Sequence, residues 1–372
     1  MSAVYLDYGS TALTRPEVIE AVSAALAEGG NPSAVHAMGR RARLRVEDAR
    51  AAVAALVGAA PTQVVFSSGG TESNAQAVAS AIAAGCERLI VSATEHPCVA
   101  ETAAASGTAL EILGVDGRGV VDLAELQAML ARPGRAMVAV HLANNESGVI
   151  QPLAEIRGLT EAAGAWLHVD AVQAAGKMPI DMDALGCHTL TLSAHKLGGP
   201  QGVGALIARD GAEVIRVLHG AGQERGLRAG TENVSGIVGF GVAAECSARD
   251  LDAAVAHAAW RDEAEARVKA VGAFVVGEGA PRLPNTLFMA VADWPSPQQL
   301  ITMDLQELMI SAGSACSSGK AKPSKAMTAM GLHDLALGAI RVTGGWGTSR
   351  EDWIRFADAW TAAYAARRQR AA

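Results

Sequence analysis

The sequence predicts an α/β protein in which a mostly parallel sheet is wrapped by helices, followed by a smaller α+β region. Three observations predict it. Amphipathic helical stretches alternate with short apolar runs, several of those runs end directly in polar or glycine-rich clusters, and the alternation breaks down near residue 250.

Taken in chain order, RPEVIEAVSAALAEG (15–29) and GRRARLRVEDARAAVAALVG (39–58) carry apolar residues at helical spacing. The runs TQVVF, RLIVS, AMVAVHLA, WLHVD, HTLTLS and VGALIA then read as strands, separated by lengths of chain that suit crossover helices. After residue 250 a charged helical stretch, LDAAVAHAAWRDEAEARVKAV, precedes isolated strands (GAFVVG, NTLFMA, GAIRVT) and a last helix near EDWIRFADAWTAAYAARR. We expect a large domain over 15–250 and a small domain formed by 1–14 and 251–372.

With 372 residues the chain has ample length for a proper core. No apolar run approaches the ~20 residues that span a bilayer, and the start MSAVYLDYGS lacks a basic flank followed by an apolar segment, so we expect a cytoplasmic protein with no membrane contact. The five cysteines are widely spaced and include no C-x-x-C pair, which argues against a disulfide framework or a resident metal cluster. A formal charge of −7 argues against direct nucleic-acid binding, and the basic tail AARRQRAA reads first as a solvated terminus.

In open α/β sheets, ligands bind beyond the carboxyl ends of strands, so the clusters there are the candidate site. After TQVVF comes SSGGTESN, where glycines lead into a helix whose first N–H groups, with Ser and Thr hydroxyls, suit a phosphate. An ordinary capped glycine turn reads the same way, and the stretch lacks the G-K-[ST] ending of a nucleotide loop. WLHVD ends in the carboxylate of Asp170, and HTLTLSAHK places Ser193, His195 and Lys196 at a strand end before a Gly-Pro turn. Pyridoxal 5′-phosphate chemistry requires a lysine, a carboxylate at the pyridine nitrogen and a phosphate cradle, and the three clusters supply one each.

At this point the sequence resembles the NifS/IscS-like cysteine desulfurases, fold-type I pyridoxal phosphate enzymes of the class V aminotransferase family. The resemblance is carried by YLDYGSTA, GNPSAVH, SSGGTESN, TEHPCV, NNESGVIQP, HVDAVQAAGK, SAHKLGGPQGVGAL, RAGTENV, GSACSSG and IRVT, which span nearly the whole chain. It implies Lys196 as the Schiff-base lysine and Cα proton carrier, Asp170 as partner of the ring nitrogen, and Gln173 as donor to the ring's phenolic oxygen. It implies Gly70, Thr71, Ser193 and His195 around the phosphate, His96 stacked on the ring, and Asn145 near the ring oxygen and substrate. Arg341, assisted by Asn31, would clamp the substrate carboxylate, while Thr231 would reach the phosphate of a neighbouring subunit in a homodimer.

The resemblance also implies the reaction. L-Cysteine would give up its sulfur to Cys316, forming a persulfide and L-alanine, and the persulfide would pass to an acceptor or scaffold protein of iron–sulfur cluster assembly. The small residues around Cys316 suit a thiol that must enter the site and leave it, and the form of that segment resembles the long-loop group rather than the SufS-like one. Lys320 or Lys322 would favour its thiolate. No metal is expected beyond transient ligation of a cluster by Cys316 at a scaffold interface. Cys86, Cys98, Cys187 and Cys246 read as inert thiols, and Glu146 as loop support. The chain departs from the family pattern at Leu13, where a proline is common, and at Trp346, where a basic or aromatic residue is usual. Selenocysteine lyase, cysteine sulfinate desulfinase and aminotransferase activity share Lys196 and Asp170, so only Cys316 separates them. A non-catalytic interaction protein on this scaffold is the alternative from another class.

Overall fold

The computed structural model describes residues 3–312 and 323–371. Twelve strands occur among them: β1 (Val4–Tyr5), β2 (Val64–Ser67), β3 (Arg88–Ser92), β4 (Ala109–Leu113), β5 (Ala136–His141), β6 (Trp166–Asp170), β7 (Thr189–Ser193), β8 (Gly204–Ala208), β9 (Phe274–Val275), β10 (Thr286–Ala290), β11 (Leu308–Met309) and β12 (Ala339–Thr343). The main sheet has the order β2-β8-β7-β6-β5-β3-β4. Neighbours from β4 to β7 run parallel, and β8 is antiparallel to both β7 and β2.

Both faces of this sheet are covered, which is why its strands read as continuous apolar runs rather than alternating ones. Side chains alternate across the pleat. Thus Ile90, Val138 and Val140 join a core with Val46 and Val53 of the helix Ala37–Leu56 and Phe240 of the helix Val234–Arg249. Leu89, Val91, Met137 and Ala139 join the opposite core with Val78 and Ala81 of the helix Gly70–Ala83.

The later part of the chain forms the antiparallel order β12-β10-β9 against the helices Leu251–Ala270 and Arg350–Ala371, with Trp353, Phe356 and Trp360 fully buried. Val4 and Leu6 belong to that core, and β1 pairs in parallel with β11. Residues 7–12 therefore leave the second core and pass over the carboxyl edge of the main sheet, where Ala12 N–H donates to the His195 carbonyl at 2.8 Å. Among the described residues no helix is long and apolar enough to cross a membrane.

Candidate active site

The carboxyl ends of β2, β3, β5, β6 and β7 lie along one edge. From β2 the chain turns through Ser67–Gly69 into the helix Gly70–Ala83. That turn is packed backbone on backbone: a Cβ on Gly204 would sit 2.7 Å from Cα and C of Gly69. A Cβ on Gly70 would lie 3.1 Å from Val172 and 3.8 Å from the Ser193 Cβ. The unpaired N–H groups of this helix start therefore sit directly against the ends of β6 and β7.

Asp170, buried at the end of β6, accepts the Val172 N–H on Oδ1 at 2.9 Å and the Asn74 amide on Oδ2 at 2.8 Å. Because the carboxylate only accepts, Asn74 must turn its nitrogen to Asp170 and its oxygen to His168 Nε2, 3.0 Å away. His168, wholly buried, has its pKa pushed down to about 4 by desolvation, against the pull of Asp170. The neutral ring donates Nε2–H to Asn74 and accepts the Thr189 hydroxyl on Nδ1 at 2.9 Å.

His96 caps the helix Pro97–Ala105, accepting the Cys98 N–H on Nδ1 at 3.2 Å. The Cys98 sulfur lies 2.9 Å from the same nitrogen and accepts from Asn74 at 3.2 Å. Burial, reinforced by Asp170, pushes this thiol up to about 12, so it stays protonated.

Lys196 follows β7 on the short turn Ala194–Lys196. Its Nζ donates to the carbonyls of Gly9 at 2.6 Å and Ser10 at 2.8 Å. Burial lowers its pKa to about 8, with Arg341 adding to the effect and Asp7 and Asp170 opposing it. Gln173 Nε2 donates to the same Gly9 carbonyl at 2.9 Å, and His195 Nδ1 lies 3.1 Å from the Thr11 hydroxyl. His195 is held down at about 4 by burial and by Lys196 and Lys177.

Arg341 enters from β12 and is 3% exposed. It donates to the Asn145 carbonyl at 2.7 Å, to Asp7 at 3.0 Å and to the Ser10 hydroxyl at 2.6 Å, while its buried Nε has no partner among the described residues. Asn144 holds the loop that presents Asn145 by accepting the N–H groups of Glu146 and Ser147 at 2.9 and 2.8 Å. Glu146 is buried and accepts the Ser324 hydroxyl at 2.6 Å, a supporting contact.

The fold thus gathers Gly70, Thr71, His96, Asn145, Asp170, Gln173, Ser193, His195, Lys196 and Arg341 around one sheet edge. Asn31 is not joined to Arg341: its side-chain oxygen accepts the Ser33 N–H at 2.9 Å, and none of the guanidinium's hydrogen bonds named above reaches it. Thr231 is exposed, on a segment tied to the main domain by Arg228–Glu72 at 2.9 Å and Arg50–Glu224 at 2.7 Å. Cys316, Lys320 and Lys322 lie outside the described residues. Asn74 and Lys177 carry no site signal of their own in the sequence, and Cys98 reads there as an inert thiol. Asn74 sits inside SSGGTESN and Lys177 inside HVDAVQAAGK, so proximity to a motif was the available signal.

These residues fit pyridoxal 5′-phosphate. A helix start offers donors beside Ser193 and His195, a buried carboxylate is held by two donors, a lysine of lowered pKa stands near it, and the buried hydroxyl of Thr191, the β7 residue in register with Asp170, has no partner among the described residues. Among the described residues no group of three or more His, Cys, Asp and Glu side chains is placed to hold a metal ion.

Because His168 and His195 stay neutral when folded down to about pH 4 but take a proton near 6.5 when unfolded, the unfolded chain binds more protons between those values. Stability is therefore expected to fall on acidification from pH 6.5 to about 5, before most carboxylates titrate. Urea midpoints across that range check this, and His168→Gln should flatten the slope.

The aminotransferase class-V family model matches residues 4–353. The chain is 39% identical over 362 residues to the cysteine desulfurase IscS of Dictyoglomus turgidum, covering 94% of this chain and 91% of that one. It is 39% identical over 352 residues to the cysteine desulfurase NifS of Azotobacter vinelandii, covering 92% and 87%. The structure of a NifS-like protein from Rickettsia africae superposes with a TM-score of 0.90 at 30% identity, covering 97% of this chain and 99% of that one. With the site's donor set and these matches along nearly its whole length, the chain belongs to the cysteine desulfurase family of the class-V aminotransferases, enzymes that depend on pyridoxal phosphate.

Proposed function

We propose that this desulfurase takes sulfur from L-cysteine onto Cys316 and hands it to an acceptor or scaffold protein of iron–sulfur assembly. The observation that carries this reading is the convergence of Lys196, Asp170 and Arg341, from three separate elements, on one buried edge. Bound there, pyridoxal phosphate supplies a conjugated electron sink for the bonds at the substrate's Cα and Cβ.

The chain's own residues do the rest. The Gly70–Thr71 helix start, Ser193 and His195 hold the phosphate with neutral donors, while Asp170, braced by Asn74 and Val172, keeps a proton on the ring nitrogen. Lys196, with a pKa of about 8, has an accessible neutral form near neutral pH and moves the proton at Cα. Arg341 takes the substrate carboxylate, with the unpartnered Nε–H as one tine of the fork. The Cys316 thiolate attacks the substrate sulfur. The Cβ–S bond breaks, its electron pair stays on Cβ, and a proton there completes the methyl group of L-alanine. Atoms balance: one thiol and one cysteine give one persulfide and one alanine.

Asn31 and Thr231 belong to the same reading, Asn31 as an aid to substrate placement and Thr231 as the residue offered to a second subunit's phosphate across a homodimer. The exposure of Thr231 in the single chain supports that role. A cytoplasmic location and the division into 15–250 and the small domain 1–14 with 251–372 complete the proposal.

Replacing Arg341 by lysine keeps the charge but loses the planar fork, so KM for L-cysteine should rise about tenfold with a smaller change in kcat. Steady-state kinetics on the holoenzyme check it. The reaction assignment itself is tested by single-turnover release of alanine from L-cysteine, L-selenocysteine and cysteine sulfinate in the unmodified enzyme and Cys316→Ala. Loss of alanine formation from L-cysteine in Cys316→Ala is the expected result. Full retention would favour a desulfinase or lyase that does not use this thiol.

A further inference from the structure

Lys177 has no part in the reaction above, yet among the described residues it is the one buried lysine. It is 8% exposed, and its amine donates to the Gln173 carbonyl at 2.7 Å and lies 3.4 Å from Gln173 Oε1. No carboxylate forms an ion pair with it among the described residues. An unpaired buried ammonium is costly to keep, so a residue of this kind is a candidate for function rather than for stability.

The geometry shows what it touches. A protonated lysine only donates and a carbonyl only accepts, so the Lys177 ammonium on one side and the Gly9 carbonyl on the other fix the Gln173 amide, oxygen inward and nitrogen outward. The same Gly9 carbonyl receives Lys196 Nζ. The two lysines are thus joined through one side chain and one carbonyl.

We propose that Lys177 is a positioning residue of the reaction: it clamps Gln173 with the amide nitrogen facing the site, and it shares one buried positive charge with Lys196. This rests on the roles given above to Gln173 and Lys196. The groups acting on Lys177 are Lys196 from the turn after β7 and Arg341 from β12, and the charge of Lys177 in turn helps to hold His195 neutral. Its pKa is lowered to about 7, by burial first, then by Lys196 and Arg341. Lys177 therefore takes a proton more readily once Lys196 is uncharged.

The test uses the full-length protein freed of cofactor and labelled with 15N at lysine side chains and glutamine amides. In Lys196→Met the Lys177 midpoint should rise from about 7. An unchanged midpoint would overturn the shared charge. In Lys177→Met the Gln173 side-chain amide should lose its single fixed orientation, and the Kd for pyridoxal phosphate should weaken about tenfold, the loss of one charge-assisted hydrogen bond. Lys177→Gln serves if the methionine variant does not fold. An unaltered Gln173 signal together with an unaltered Kd would overturn the clamp. Failure of the underlying reading is separate: Lys196→Met that still binds the cofactor covalently would remove Lys196 from its role, whatever the Lys177 titration shows.

Discussion

Lys196→Ala is expected to lose the visible absorbance of the lysine-bound cofactor and to lower desulfurase activity by about 10³-fold or more, since one group serves both as covalent anchor and as proton carrier. The magnitude follows from its surroundings. The amine sits where burial brings its pKa to about 8, and the Gly9 and Ser10 carbonyls aim it at 2.6 and 2.8 Å. Lys177 is held under Gln173 and is not presented to the site in its place. Spectra of the variant, with turnover measured at saturating pyridoxal phosphate, check both parts. Because folding lowers the pKa of this amine, its charged form opposes folding near neutral pH, and the cofactor-free variant should be no less stable there than the parent.

Asp170→Asn should keep the cofactor and still lower kcat by about 10²–10³-fold, the loss of one preorganised charge at the ring nitrogen. Asparagine has the same shape, so one acceptor remains for Asn74 or for the Val172 N–H, but the negative charge is gone. The consequence reaches beyond Asp170. Asn74 also takes the N–H of buried His168 and donates to the Cys98 sulfur, so the carboxylate and the His96–Cys98 pair are parts of one hydrogen-bonded network. Rapid-mixing kinetics with L-cysteine, alongside a thermal melt, separate the chemical loss from a structural one.

Much of this architecture was legible in the sequence. The apolar runs read as strands correspond to β2, β3, β5, β6, β7 and β8, because strands buried on both faces leave an uninterrupted apolar signal. Strand β4 was not legible for the complementary reason. It is the sheet's edge, ALEIL is mostly half-exposed or exposed, and Glu111 within it pairs with Arg88 and Arg132. The two-residue strands β1 and β11 carry no local pattern, since their pairing joins residues some 300 positions apart and is decided by packing of Val4 and Leu6 in the second core.

The site divides in the same way. Lys196, Asp170 and the Gly70 turn stand at strand ends, where residue type and position coincide. Lys177 and Asn74 look like surface residues in sequence, because nothing local records that one amine is buried beneath a glutamine or that one amide faces a carboxylate. Cys98 reads in the sequence as an inert thiol. Its contact with His96 is local to the helix cap, and its contact with Asn74 arises only when the helices Pro97–Ala105 and Gly70–Ala83 pack together. Asn31 shows the converse: its motif was recognisable, but its side chain is committed to the local turn at Ser33.

The central claim is that L-cysteine leaves its sulfur on Cys316. Mixing the holoenzyme with a stoichiometric amount of L-cysteine in the absence of reducing thiols, then trapping and digesting it for mass spectrometry, tests this directly. The expected result is the mass of one added sulfur atom on the Cys316 peptide, matched by one L-alanine released, with Cys86, Cys98, Cys187 and Cys246 unmodified. Alanine released with the sulfur on another cysteine, or as free sulfide with Cys316 unmodified, would contradict it.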